Sequence, residues 1–119
     1  MLKFYILDEN HQPVEEPDFQ RWSRWMYGWN GKNSIVKQTE VSPEVLVSTI
    51  FLGMDQAFIG YGPPIFFETM VFADDDNGNR DQWRYSTWDD ALANHEGIVR
   101  KMKAKLKEKT NGRQDNGQP

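Results

Sequence analysis

No cysteine occurs among the 119 residues. That excludes disulfides, thiolate metal sites and a cysteine nucleophile. No stretch approaches the roughly 18 consecutive apolar residues of a membrane span. The N-terminal MLKFYILDEN lacks a basic segment followed by a long apolar one, so an intracellular protein without a membrane anchor is expected. Nucleophile-elbow, phosphate-loop and zinc-binding spacings are also missing, so an enzyme is not expected, and neither a metal nor a cofactor is implied.

What the chain does have is aromatics: five Trp, seven Phe and four Tyr. Each ring buries a large apolar area. This compensates for an otherwise polar composition, and the length suits one domain. Charge is unevenly spread behind the formal net of −4. Residues 1–99 carry seven Lys/Arg against sixteen Asp/Glu, a net of −9, and residues 100–119 carry seven against two, a net of +5. An acidic body repels a phosphate backbone, which argues against nucleic acid and fits a basic protein surface or simple solubility.

Along the chain, Lys3–Leu7 reads as a short strand ended by the turn-rich DENHQP. Pro17 and Asp18 suit a helix start. Phe19, Trp22, Met26 and Trp29 then recur at helical steps, with Trp25 off that stripe and expected to be exposed. Gly28, Asn30 and Gly31 supply a C-terminal stop through positive φ. Strands are expected over 34–40, 45–52 and 65–73, the last two central because they are almost wholly apolar or β-branched. Asn77-Gly78 favours a type I′ turn into a return strand, Gln82–Tyr85. Ser86-Thr87 with Asp89-Asp90 caps a final helix whose apolar face is Leu92, His95, Val99, Met102 and Leu106. The lysines from Lys101 to Lys109 spread round that helix as a solvated end. The expected architecture is α+β: a small antiparallel sheet of about five strands with two helices on one face. It occupies residues 1–110, with a disordered tail at 111–119.

These segments resemble a family of small uncharacterised proteins of tailed bacteriophages and prophages. The likeness runs through the Trp22/Trp25 pair, Thr39-Glu40-Val41, VSTIFLGMD (Val47–Asp55), GPP (Gly62–Pro64), FETMVF (Phe67–Phe72) and RYSTWDDA with His95. It covers most of the chain up to about Arg100. The resemblance implies a phage or prophage origin and the cytoplasm of an infected bacterium, and it brings no activity. Where members often carry His directly after the aspartate of the LGLD motif, this chain has Gln56. Ile59-Gly60-Tyr61 looks like an expansion of a shorter family loop.

Candidate binding residues follow from chemistry and position. The Gly53–Pro64 loop offers Asp55, Phe58 and Tyr61 for presentation on a rigid sheet, against a bland reading in which its aromatics cap the core. In RWSRWMYGW, Trp25 is the aromatic available to a partner, although helical spacing argues for core packing of its neighbours. Glu68, inside an apolar strand, requires a partner if buried, and Arg84 or a hydroxyl could provide it. His95, Glu68 and Asp55 could on paper form an acid–base group, against a hydrogen-bonded core role for His95. The Asp74–Gly78 cluster fails calcium-loop register and reads as a solvated turn.

These observations point to a non-catalytic accessory protein that binds a host or phage protein, for example a host defence factor or host enzyme. The competing expectations are a small-ligand or nucleotide binder, which would need Arg21, Arg24, Arg80 or Arg84 to converge, and a minor structural or assembly protein. An exposed flat aromatic patch favours the protein partner; an enclosed aromatic–Arg cleft favours the small ligand. Monomer and homodimer are both compatible with an edge at Gln82–Tyr85.

Overall fold

The computed structural model describes residues 2–57, 62–73 and 81–116, with side chains through Lys109. In order, the elements are β1 (Tyr5–Leu7), β2 (Pro13–Glu15), α1 (Phe19–Tyr27), a 3-10 segment (Trp29–Ser34), β3 (Ile35–Ser42), β4 (Val45–Phe51), β5 (Phe67–Ala73), β6 (Gln82–Tyr85) and α2 (Trp88–Asn116). The fold is α+β, as expected. Its strands form a four-stranded antiparallel sheet ordered β3-β4-β5-β6 and a separate β1–β2 hairpin.

Strand alternation divides the larger sheet into two faces. Val47, Thr49 and Phe51 of β4 lie beside Phe67, Thr69 and Val71 of β5 on the inner face. All six are buried. Ala91, His95, Ile98, Val99 and Met102 of α2 are buried too, and that helix lies across the sheet. At the other end, Trp22 and Met26 of α1 close a cluster with Leu7, Phe51, Phe66 and Phe67.

Local chemistry sets the helix ends. The Asp18 carboxylate caps α1 by accepting from the Gln20 and Arg21 amides, and the Thr87 hydroxyl caps α2 by accepting from the Asp90 amide, each satisfying an amide with no intrahelical partner. Gly28 ends α1 with φ −67° rather than the expected positive φ. It is glycine because a Cβ there would lie 2.3 Å from the Arg24 carbonyl oxygen.

Three expectations are corrected. The segment after β1 is not wholly turn: Pro13–Glu15 pairs with Tyr5–Leu7. Its reverse turn is held by the Asp8 carboxylate, which accepts from the Asn10 and Gln12 amides. The α1 stripe is narrower than its spacing suggests, since Phe19 and Trp29 are exposed. The α2 backbone stays helical through Asn116, past Thr110. The Asn77-Gly78 turn, residues 117–119 and the side chains of 110–116 lie outside the described residues, although β5 and β6 do pair antiparallel. No helix among the described residues is long and apolar enough to cross a membrane.

Candidate functional site

Glu68 and Arg84 are directly opposed on β5 and β6. Arg84 Nε donates to Glu68 Oε2 at 2.9 Å, so the sequence-predicted partner is the observed one. The pair lies on the outer face of the sheet, away from α2. Glu68 is nevertheless only 8% exposed, because the neighbouring side chains shield it.

Asp55 is elsewhere. Its Oδ1 accepts from the Ala57 and Ile65 amides, both at 2.8 Å. The Gln56 amide donates to the Ile65 carbonyl across the same gap. The carboxylate thus latches the neck of the Gly/Pro loop. Phe58 and Tyr61, the loop's candidate aromatics, lie outside the described residues. His95 is on the inner face, so His95, Glu68 and Asp55 do not converge.

Trp25 is not the exposed aromatic. It is half-buried and packs edge-on against Phe51 at 5.8 Å. Among the described residues around α1, the exposed rings are Phe19, Tyr27 and Trp29, the last 72% exposed. Phe19 and Tyr27 both contact the Trp22 ring, so they form one aromatic surface along α1. Trp29 starts a left-handed turn, with φ of 54°, 58° and 74° at Trp29, Asn30 and Gly31. That conformation costs roughly 1–2 kcal/mol per non-glycine residue. Hydrogen bonds hold the turn in place: the Gly31 amide donates to the Gly28 carbonyl, and the Ser34 hydroxyl to the Gly31 carbonyl. The Asn33 amide side chain also donates to the Trp25 carbonyl. Lys32 Nζ stands 5.3 Å from the Trp29 ring centroid. No acidic residue occurs from 19 to 39, so this aromatic surface is locally basic on an acidic protein.

The inner face carries a second polar feature. Fully buried His95 shares hydrogen bonds with Thr49 Oγ1 through Nδ1 at 2.7 Å and with Thr39 Oγ1 through Nε2 at 2.8 Å. Thr49 in turn bonds Thr69 at 2.5 Å. Burial pushes the imidazole below its usual pKa. Glu96 opposes that shift and Lys37 reinforces it. Glu96 forms an ion pair with Lys37, and that hydrogen bond is the main cause holding its carboxyl below the usual range. Burial raises the Tyr85 phenol against a lowering influence of Thr69. The Tyr85 hydroxyl reaches no partner in hydrogen-bond geometry among the described residues. The group is a satisfied core network sealed from solvent at His95, not an open acid–base site.

Depressions indent the outer face among the described residues. One, of about 390 Å³, is lined by Glu40, Glu44, Pro43, Val45, Leu46 and Phe72 among others, with no basic side chain in its lining. Another, of about 40 Å³, lies between Ser48, Ile50, Glu68, Met70 and Phe72. Of the arginines expected to converge on a nucleotide, Arg21 and Arg24 stand on α1, Arg21 paired with Asp18, Arg84 pairs with Glu68 on β6, and Arg80 lies outside the described residues. Among the described residues, no group of three or more His, Asp or Glu side chains could hold a metal ion.

Sequence reasoning missed Trp29 and the outer-face residues Ile50 and Met70. The turn signal at Asn30-Gly31 could have found Trp29, because a left-handed turn carries the ring off the helical stripe. The two-sided apolarity of β4 and β5 could have found the others. Compared with known proteins, the chain matches no family model, no curated protein and no solved structure.

Proposed function

We propose that this chain is a phage-encoded accessory protein that works by binding a host protein, as an inhibitor of a host enzyme or defence system, in the host cytoplasm. The observation that carries the reading is Trp29: a bulky ring held in a left-handed backbone and turned to solvent. Strain kept in an exposed side chain contributes nothing to the core and is characteristic of binding sites. Trp, Tyr and Arg are also the residue types that dominate protein-interface energetics. Tyr27 and Phe19 are further exposed rings on α1, the helix that precedes it. Exposed aromatic rings suit a protein surface better than a small ligand, which takes an enclosed cleft. The nucleotide reading is weakened by the separation of Arg21 and Arg24 from Arg84 and by the acidic lining of the depression at Glu40 and Glu44.

The test is affinity capture from infected host cells with the wild-type chain and with Trp29→Ala in parallel. One stoichiometric host protein should be retained by the wild type and lost by the variant, with the two unfolding at the same midpoint. Identical retention by both would remove the Trp29 patch as the docking surface.

A further inference from the structure

Helix α2 outruns the sheet it covers. It starts with Ala91 in the cluster of Phe51 and Phe67, passes Thr49 at His95, and reaches Val41 and Val45 with Ile98, Val99 and Met102. Among the described side chains, Met102 is the last buried one in α2. The backbone continues to Asn116, an overhang of about 20 Å at the helical rise per residue. That overhang is basic on an acidic protein, since residues 100–109 hold six Lys/Arg and one Asp/Glu. Lys101, Lys103, Lys105 and Lys107 are exposed and form no ion pair among the described residues. Half-buried Leu106 is the last apolar residue of the helix, four residues beyond Met102 and therefore on the same stripe.

The same end of the sheet carries the complementary charge. The depression of about 390 Å³ at the β3–β4 turn is lined by Glu40 and Glu44 and by apolar Pro43, Val45, Leu46 and Phe72. Val45 stands both in that lining and beside the point where α2 leaves the sheet. Glu44 accepts from the Ser42 hydroxyl, and neither glutamate forms an ion pair among the described residues. Within one chain the two features stay apart, because α2 covers the inner face and the depression opens on the outer one. We infer that they meet between two copies of this chain: the lysine overhang of each protomer docks on the Glu40/Glu44 depression of the other. A two-fold axis at the turn end sends each helix along the outer face of its partner's sheet, with the Leu106 stripe turned towards the strands. Leu106 then meets the apolar lining, and the flanking Lys103 and Lys107 meet the carboxylates. Each β3–β4 turn is held between its own helix and its partner's, a reciprocal contact of the kind that a closed two-fold interface requires. Exposed ion pairs contribute little individually, so the charges set register and salt dependence while the apolar contact adds attraction. The interface lies at the end of β3 remote from Trp29, and it stands whether or not that ring binds a host protein.

The experiment is sedimentation equilibrium of the intact chain from about 1 µM to about 1 mM. It is run at about 0.01 M and about 1 M salt, between which the Debye length falls from about 30 Å to about 3 Å. The wild type should dimerise at low salt and dissociate more readily at high salt. Glu40→Lys with Glu44→Lys, and separately Lys103→Glu with Lys107→Glu, should each weaken the dimer about tenfold or more. All four positions are exposed, so both variants should keep the wild-type circular dichroism. An equimolar mixture of the two should dimerise again, because opposite charges then face each other at both contacts; a merely damaged fold would not be rescued this way. Trp29→Ala should dimerise like the wild type. The inference is overturned by a wild type that is monomeric throughout, by association that runs past the dimer, by a dimer that both charge reversals leave intact, or by a mixture that stays monomeric. A monomer whose Leu46 methyl signals shift saturably with tetralysine would overturn it too, and would give the depression to a foreign basic partner.

Discussion

Thr49 and Thr69, directly opposed on β4 and β5, share a hydrogen bond at 2.5 Å. Thr49 then carries it to His95 Nδ1 at 2.7 Å. The centre of the inner face is therefore polar yet satisfied, and it ties α2 to two strands in a defined register. Removing the imidazole leaves a cavity, takes its His95 partner from the Thr39 hydroxyl and leaves Thr49 with Thr69 alone. His95→Ala should cost about 2–4 kcal/mol, measured by urea unfolding. A loss under about 1 kcal/mol would show that the network does not hold the helix.

The same residue sets an acid limit. The folded-state pKa of His95 is lowered, so the unfolded chain binds more protons once pH drops below the ordinary histidine value of about 6.5. Stability is then complete above that value and falls as pH decreases toward the folded pKa. Glu96 is also depressed, but its contribution is lost only as pH falls below the ordinary carboxylate value. Thermal midpoints should decline from pH 7 to pH 5, and His95→Gln should flatten that decline. An equal slope in both proteins would assign it elsewhere.

A side chain at Gly53 would be strained. Its φ is +75°, and a Cβ would lie 2.9 Å from both Met26 Sδ and Cε. Its carbonyl also accepts from the Tyr5 amide and from Trp22 Nε1. Gly53→Ala should destabilise by about 1–3 kcal/mol. A neutral result would mean that α1 packs loosely over the loop start.

How much of this was legible in the sequence differs from residue to residue. The strands β4, β5 and β6 and the Asp18 and Thr87 caps could be read because each has a local cause in side-chain type. Glu68–Arg84 could be anticipated because a carboxylate in an apolar strand needs a partner. β2 could not: Pro-Val-Glu has little strand character, and only pairing with β1 makes it one. Trp25 and Trp29 exchange their expected environments for a geometric reason. The helix stops at Tyr27, and the left-handed turn swings Trp29 outward, whereas Trp25 stays in the helix and reaches Phe51. The use of the outer face depends on which side α2 covers, and strand alternation alone does not specify that.

Trp29→Gly separates stability from binding. Glycine adopts positive φ without steric penalty, so the relieved strain offsets its greater unfolded-chain entropy. The variant should unfold within about 1 kcal/mol of the wild type while losing the captured host protein. A much larger loss of stability would show that the Trp29 ring is a packing element rather than a contact surface.

Asp55→Ala should unlatch the loop neck without unfolding the sheet. Amide exchange at Ala57 and Ile65 should quicken, while protection in the middle of β4 and β5 persists. Unchanged exchange at Ile65 would show that the Gln56–Ile65 backbone bond suffices.

The latch also bears on the order of assembly. β3 and β4 meet across the two residues Pro43 and Glu44, so their pairing is local and quick. β5 can join only after the much longer segment between Phe51 and Phe67 is closed, and ordering that segment carries an entropic delay. The sheet is then a ready-made hairpin that waits for a late third strand. On that view, substitutions at Asp55 and Gly53 change how fast the molecule comes apart more than how fast it forms.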